Sequence, residues 1–291
     1  MIQKFGFSKH VTFDRSHILK NQKLMTLYSE LIPEVERISK KEYELLIKYI
    51  DQNDLKGKFS IVDIGWSGGM QRYLEQTLTK LEIPHEISGY YTGVSAYYTR
   101  NAEVVPDFDI SGYLFDFKND TNAIDKRSCF VGLFETLFLE QGGSVKNYVL
   151  KDDKVVANRY EYEYFINGQP TDEYLKVQKI QNSAMLFVNV ASKDETLNLF
   201  KYSADDMFNV IRKIGANPNK DDINLFADFS FFDEGETHKL ANPKSIAHYA
   251  LHIREFKKDF LMCRWKTGFI KRILRIKLPY EKMYNLMLRY K

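Results

Sequence analysis

The stretch KFSIVDIGWSGGMQ, residues 58–71, decides the fold. Its first seven residues are mostly β-branched or aromatic, which predicts a short buried strand. The glycines that follow predict a turn, and apolar residues at helical spacing between 70 and 81 predict a helix directly after it. A strand, a glycine turn and a helix in this order open a βα unit, so the sequence predicts an α/β protein.

The flanking residues extend this pattern in both directions. Residues 24–56 carry apolar side chains at helical spacing, with a break at Pro33. A second strand candidate at 87–94 is expected to lie parallel to the first, because a crossover helix returns the chain to a parallel neighbour. Residues 100–126 are predicted to be an acidic loop and 130–139 a helix. We therefore expect a Rossmann-like parallel core over about 58–140.

The remainder of the chain predicts a mixed α+β second part. Strand candidates at 145–150 and 155–164 form a hairpin, and helices are predicted at about 172–192 and 203–214. A last helical stretch enters a basic C-terminal helical region. The predicted domains are an N-terminal helical segment at 1–57, an α/β domain with the glycine-turn site at 58–240, and a basic amphipathic helical tail at 241–291.

The formal net charge of +3 hides two oppositely charged parts. Residues 253–291 hold 12 Lys or Arg and 3 Asp or Glu, which leaves 30 basic and 36 acidic residues in 1–252. A basic tail on an acidic body is typical of proteins that meet an anionic surface. The composition, with 44% hydrophobic and 28% charged residues, excludes disorder for the bulk of the chain.

Cysteine usage and hydropathy bear on the compartment. Cys129 and Cys263 are too far apart to form a CxxC metal unit, and nothing else suggests a disulfide framework. The sequence has no run of about 18 apolar residues, and its start shows no signal-peptide pattern. We therefore expect a cytoplasmic protein that does not span a membrane and that contacts one peripherally through its tail.

The glycine turn is the main candidate site. Backbone amides of such a turn, together with the positive end of the following helix, attract phosphate. Asp63, at the carboxyl end of the strand, could orient a sugar hydroxyl, hold a metal ion or act as a base. Neither a Walker loop nor GxGxxG is present, so a tight turn that Asp63 merely caps stays open as the alternative. The predicted substrate or phosphate ligands are Gly65, Trp66, Ser67, Gly68, Gly69 and Gln71.

Two residues further along the chain are assigned to the same site. Glu135 is a carboxylate within an apolar helical segment, and burial raises the pKa of a carboxylate toward the range of a general acid or base. A partly exposed Glu, or one paired with Arg, is the alternative. Ser144 follows two glycines and could bind phosphate, although a turn residue is the simpler interpretation.

The block around Asp63-Ile64-Gly65-Trp66 also resembles a known family. It is similar to the region downstream of the haloacid-dehalogenase-like domain in bacterial predicted hydrolases of surface-polysaccharide gene clusters. The resemblance implies a transferase-like role in making capsule, lipopolysaccharide or another surface glycan from an activated sugar or phosphosugar, and it favours a catalytic Glu135. It spans roughly residues 40–235 and continues, in order, through GYYTG at 89–93, FETLF at 134–138, GSV at 143–145 and VQKIQ at 177–181.

One departure from that family limits what the resemblance implies. The family's phosphatase signature lies in its N-terminal half, and the only similar stretch here, Asp107-Phe108-Asp109, follows Pro106 and a short run. It is a poor match to a phosphatase nucleophile or to a metal-binding Asp-x-Asp, so phosphatase activity is not expected. A non-catalytic module that recruits a partner to the membrane, or a truncated remnant of a longer enzyme, remains the alternative.

The tail alternates apolar residues at helical spacing with basic ones, which is typical of helices that lie on anionic lipid. The alternative is a terminal helix packed on the body with its charges in water. The predicted membrane contacts are Trp265, Lys266, Phe269, Lys271, Arg272 and Arg275.

Partner expectations follow from these features. His248 and His252 lack the further ligands of a zinc site, so neither a metal nor a cofactor is expected. No nucleic acid is expected, because no recognised binding motif accompanies the charge. The expected partners are a nucleotide-sugar or phosphosugar, an anionic membrane surface and polysaccharide-assembly proteins.

Overall fold

A computed structural model describes residues 2–8, 12–13, 15–120, 131–194, 202–233 and 236–289. Up to residue 170, the elements are α1 (Gln22–Gln52), β1 (Gly57–Asp63), α2 (Gly69–Lys80), β2 (His85–Val94), α3 (Thr99–Ala102), β3 (Asp109–Asp116), α4 (Val131–Phe138), β4 (Val145–Lys151), β5 (Lys154–Arg159), β6 (Phe165–Ile166) and β7 (Gln169–Pro170). Beyond it are α5 (Asp172–Ala191), α6 (Ala204–Ala216), α7 (Lys220–Phe226), β8 (Ser230–Asp233), β9 (Glu236–Lys239), α8 (Ile246–Leu251), α9 (Ile253–Met262), α10 (Lys266–Leu274) and α11 (Tyr280–Arg289).

The chain divides into two compact units. One comprises Met1–Leu55 and Ser144–Tyr160, and the other Lys56–Gly143 and Glu161–Lys291. The predicted segment at 1–57 thus shares its unit with the β4–β5 hairpin, and the predicted tail at 241–291 belongs to the unit that holds the parallel sheet.

The first unit packs the long helix α1 against the β4–β5 hairpin. The Gln52 side chain accepts from the Val155 N–H at 2.8 Å and donates to the Val155 carbonyl at 3.1 Å, so it satisfies the backbone of β5 at that point. The helix runs through Pro33 without the predicted break. A proline removes one backbone hydrogen bond, and the remaining bonds of this 31-residue helix keep it continuous.

The second unit contains a three-stranded parallel sheet in the order β1-β2-β3, which confirms the predicted α/β class. Helix α2 covers one face, where Ile87 and Tyr91 of β2 are buried. A Cβ on Gly89 would lie 2.0 Å from the Gln71 side chain, so only glycine admits α2 this close to the sheet.

Strand β3 lies within residues 100–126, where the sequence predicts a loop, so that prediction is wrong for Asp109–Asp116. Ile110, Leu114 and Phe115 of this strand are buried, while its first and last residues are aspartates. Pairing with β2 and burial of these three side chains outweigh the acidic, glycine-containing composition that favours a loop. Asp107-Phe108-Asp109 leads into this strand.

Helices α8, α9 and α10 belong to the largest hydrophobic cluster of the second unit. No helix in the described part of the chain is both long and apolar enough to cross a bilayer. The buried members of the cluster include Tyr164, Val177, Phe226, Phe229, Leu240, Tyr249, Trp265 and Phe269.

Candidate functional site

The candidate site lies at the carboxyl edge of the parallel sheet. Strand β1 ends at Asp63, β2 at Val94 and β3 at Asp116. Because the strands are parallel, these ends meet at one edge, which is where open α/β sheets bind ligands.

Asp63 shapes the turn after β1. Its Oδ1 accepts from the Gly65 N–H at 2.7 Å, which is the turn-capping geometry that the sequence left open as an alternative. The second carboxylate oxygen has no hydrogen-bond partner among the described residues. The carboxylate can therefore hold the turn and still offer one oxygen to a hydroxyl group.

The two glycines that open α2 differ in their surroundings. Gly68 has φ +73°, and a Cβ there would lie 2.7 Å from Phe108, so the position requires glycine. A Cβ on Gly69 would meet no described atom within 4 Å. The start of α2 is thus closed on the Gly68 side and open at Gly69.

The start of α2 can receive an anion. The first amide groups of a helix have no acceptor within the helix, and no side chain of the described residues caps this 12-residue helix in their place. These amides and the helix dipole together favour negative charge at this point. The geometry is compatible with the phosphate role predicted for Ser67, Gly68 and Gly69, which stays a prediction.

Trp66 and Glu135 are brought together from distant parts of the sequence. The indole Nε1–H donates to Glu135 Oε1 at 2.5 Å. Trp66 is buried and stacks on Phe115 with a centroid distance of 5.4 Å, and Phe134 packs against its edge. A rigid indole therefore fixes a half-buried carboxylate beside the glycine turn.

Two residues that no sequence motif indicated, Asn101 and Ser95, also contact the turn. Asn101 donates from Nδ2 to the Ser67 carbonyl at 2.6 Å, and the Ser95 N–H donates to the Trp66 carbonyl at 2.8 Å. The Ser95 side chain is 2% exposed, and its hydroxyl has no hydrogen-bond partner among the described residues. The sequence signal that could have indicated Ser95 was its position directly after β2, a strand parallel to β1.

Gln71 does not fit its predicted role as a phosphate ligand. Its side chain is fully buried and donates to the Asp109 carbonyl and to Glu75 Oε1, both at 2.9 Å. The Tyr91 hydroxyl donates to Gln71 Oε1 at 3.4 Å. Gln71, Glu75 and Tyr91 therefore form a buried polar group that holds α2 on the sheet. Burial raises the pKa values of both Glu75 and Tyr91.

Ser144 lies in the other compact unit, immediately before β4. Its carbonyl accepts from the Tyr160 N–H at 2.9 Å, across the base of the hairpin. This geometry matches the turn residue that was its alternative interpretation.

The aromatic residues predicted to contact a membrane do not face outward. Trp265 and Phe269 are buried in the hydrophobic cluster, and the Trp265 indole donates to the Gly215 carbonyl at 2.8 Å. The structure thus shows the alternative, a helix packed on its own unit. Helical spacing could not distinguish the two cases, because an apolar stripe looks the same toward lipid and toward a protein core.

Most of the basic residues predicted for the same surface also have internal partners. Arg272 pairs with Asp228 at 2.6 Å and donates to the Ala241 carbonyl at 2.8 Å. The Lys266 ammonium donates to the carbonyls of residues 260, 261 and 263, and Lys271 donates to the Ile276 carbonyl at 3.3 Å. Arg275 is exposed.

The described residues contain no group of three His, Cys, Asp or Glu that could hold a metal ion. His248 and His252 stack with ring centroids 4.5 Å apart, and His248 Nε2 lies 2.8 Å from Glu255 Oε2. Lys244 and His248 together hold the pKa of Glu255 at about 2. His248 is therefore a hydrogen-bond partner of the Lys244–Glu255 ion pair, and the His252 side chain contacts His248.

Comparison with known proteins finds no matching family model, no matching curated protein and no matching solved structure.

Proposed function

We propose that the chain is a transferase-like protein of bacterial surface-polysaccharide biosynthesis that acts on a nucleotide-activated sugar or a phosphosugar. Strands β1–β3 with α2 would form the nucleotide-binding part of a Rossmann-like core. The resemblance of the block at 62–71 supports the polysaccharide context. The hydrogen bond between Trp66 and Glu135 carries the catalytic part of the proposal, since it joins a carboxylate to a residue of the turn that precedes the uncapped start of α2.

Each part of the site has a proposed task. The amides at Gly68 and Gly69 bind a phosphate of the donor, where the helix dipole favours negative charge. The oxygen of Asp63 that the turn does not use orients a sugar or ribose hydroxyl. Glu135, held by the indole, accepts the proton of the attacking hydroxyl as general base. In the alternative assignment Asp63 is the general base, and kinetics of substituted proteins must distinguish it from the assignment to Glu135.

Calorimetric titration tests the binding part of this proposal. We expect nucleoside diphosphate sugars or sugar 1-phosphates to release or absorb measurable heat with the full chain, and Gly69→Ala to weaken that binding at least about tenfold. The added methyl group enters the open space at the helix start while the fold tolerates it. Equal affinity in Gly69→Ala and wild type would exclude this helix start as the phosphate site.

The catalytic part needs a separate variant. Glu135→Gln keeps an acceptor for the indole N–H but removes the basic carboxylate. We expect it to bind the donor as wild type does and to lose turnover by about 100-fold or more, the scale of general base catalysis. Unchanged turnover in Glu135→Gln with lost turnover in Asp63→Asn would assign the base to Asp63.

A second candidate function rests on an exposed patch of the sheet. Val62, Tyr90 and Tyr113 lie on the face opposite α2 and are 85%, 54% and 58% exposed, whereas parallel sheets are usually covered on both faces. This favours a non-catalytic module that binds a polysaccharide-assembly protein. This function would be favoured if no sugar donor gave heat and if Val62→Ser/Tyr90→Ser lost the binding of a purified glycosyltransferase that wild type shows.

A further inference from the structure

The outward side of α9 combines basic and aliphatic side chains. Its exposed residues recur at spacings of three and four, which places them on one side of a helix. The aliphatic residues Ile253, Leu261 and Met262 are 70%, 59% and 53% exposed. This surface, called the α9 face below, consists of Ile253, Arg254, Lys257, Lys258, Leu261 and Met262.

The acidic residues of α9 lie on its other side. Glu255 pairs with Lys244 at 2.6 Å and with His248 at 2.8 Å, and Asp259 accepts from the Tyr249 hydroxyl at 2.8 Å. These contacts draw both carboxylates toward α8 and away from the α9 face. Both carboxylates therefore have partners of their own, and the charged side chains on the α9 face are all basic.

The three cations of the α9 face are available to a partner. Arg254, Lys257 and Lys258 are exposed and have no ion pair or hydrogen bond within the described ranges. A cluster of unpaired cations attracts an anionic surface. The exposed aliphatic side chains at both ends of the cluster determine which kind of anionic surface fits.

We propose that the α9 face binds the surface of an anionic lipid bilayer. A nucleic acid backbone would neutralise the cations but leave the aliphatic side chains in water. A bilayer accommodates both, because lipid headgroups meet the cations while aliphatic side chains enter the acyl boundary. Leu251, which ends α8 and is 82% exposed, adds a further aliphatic side chain next to Ile253.

The inner side of α9 fixes the orientation of this face. Phe256 and Phe260 pack on Phe269, with ring centroids 6.1 and 5.7 Å apart, inside the largest hydrophobic cluster. The helix therefore keeps its inner side in the protein when its outer side meets lipid. The α9 face and the glycine turn use different residues, so either role can fail without the other.

Vesicle co-sedimentation of the full chain tests this proposal. We expect binding to phosphatidylcholine vesicles that contain phosphatidylserine, little binding to pure phosphatidylcholine, and weaker binding as salt increases. Replacing the three cations by Gln should weaken binding by about 100-fold, since each Lys or Arg near an anionic surface contributes about 1 kcal/mol. The variant is Arg254→Gln/Lys257→Gln/Lys258→Gln.

A matched control distinguishes the effect of the α9 face from the effect of losing three positive charges anywhere on the protein. Three exposed lysines elsewhere can be changed with the same loss of charge, and this variant should bind vesicles as wild type does. The control variant is Lys151→Gln/Lys154→Gln/Lys193→Gln. Circular dichroism melting of both triple variants should match wild type, because all six side chains are exposed.

The aliphatic residues supply the second arm. Leu261→Ser/Met262→Ser keeps every charge and should also weaken vesicle binding. Equal vesicle binding by wild type and the α9 triple variant would overturn the proposal. The proposal would also be overturned if the chain did not bind vesicles but bound a single-stranded oligonucleotide through the same three cations.

Discussion

At the scale of the residue, Gly68 and Gly69 are adjacent glycines with opposite constraints. Alanine at 68 would adopt φ +73° and press on Phe108, so we expect Gly68→Ala to lower the free energy of unfolding by about 1–3 kcal/mol. Gly69→Ala puts its methyl group in open space within the first turn of a helix, and its stability should stay within about 0.5 kcal/mol of wild type.

Urea unfolding followed by circular dichroism measures both variants. Equal destabilisation by the two alanines would contradict the described turn, because only Gly68 combines a positive φ with a close neighbour. These stability measurements also serve the binding test at the helix start. If Gly69→Ala is stable but binds ligand more weakly, unfolding cannot explain the weaker binding.

At the scale of the element, Gln71 decides how α2 sits on the sheet. Gln71→Leu would leave the Asp109 carbonyl and the Tyr91 hydroxyl without this partner in a buried site, so we expect a loss of about 2–3 kcal/mol of stability. Gln76, on the exposed side of the same helix, is the matched control, and Gln76→Leu should change stability by less than about 0.5 kcal/mol. Thermal and urea unfolding of both variants measure the difference, and similar stabilities would show that Gln71 does not anchor the helix.

At the scale of the whole molecule, the C-terminal helices are part of the core of the second unit. Phe269→Ala should cost about 3–5 kcal/mol because it leaves a cavity beside Phe256, Phe260 and Tyr249. Ile276, which follows α10 and is 54% exposed, is the control, and Ile276→Ala should be nearly neutral. An unfolding transition that Phe269→Ala leaves unchanged would contradict this packing.

The same packing determines how membrane binding must be tested. Deletion of residues 253–291 would remove Trp265, Phe269 and Tyr280, all of them buried, and would disrupt the second unit together with any lipid surface. Substitutions confined to the α9 face avoid this, because its side chains are exposed.

The sequence by itself determined the βα unit at 58–81, the parallel neighbour at 87–94 and the helices at 130–139, 172–192 and 203–214. These features follow from local spacing of apolar residues and from glycine in a turn, both of which a short window of sequence contains. Strand β3 was not predicted, because its composition is typical of loops and its pairing with β2, which outweighs that composition, is not visible in the sequence.

Only the tertiary structure decided which side chains meet or are buried. The contact of Trp66 with Glu135 joins residues 69 positions apart, and no local pattern specifies such a pair. Likewise, the spacing that makes α10 amphipathic fits lipid and protein equally well, so the burial of Trp265 depends on the helices packed around it. Local spacing fixes which side of a helix is apolar, whereas long-range packing fixes what covers that side.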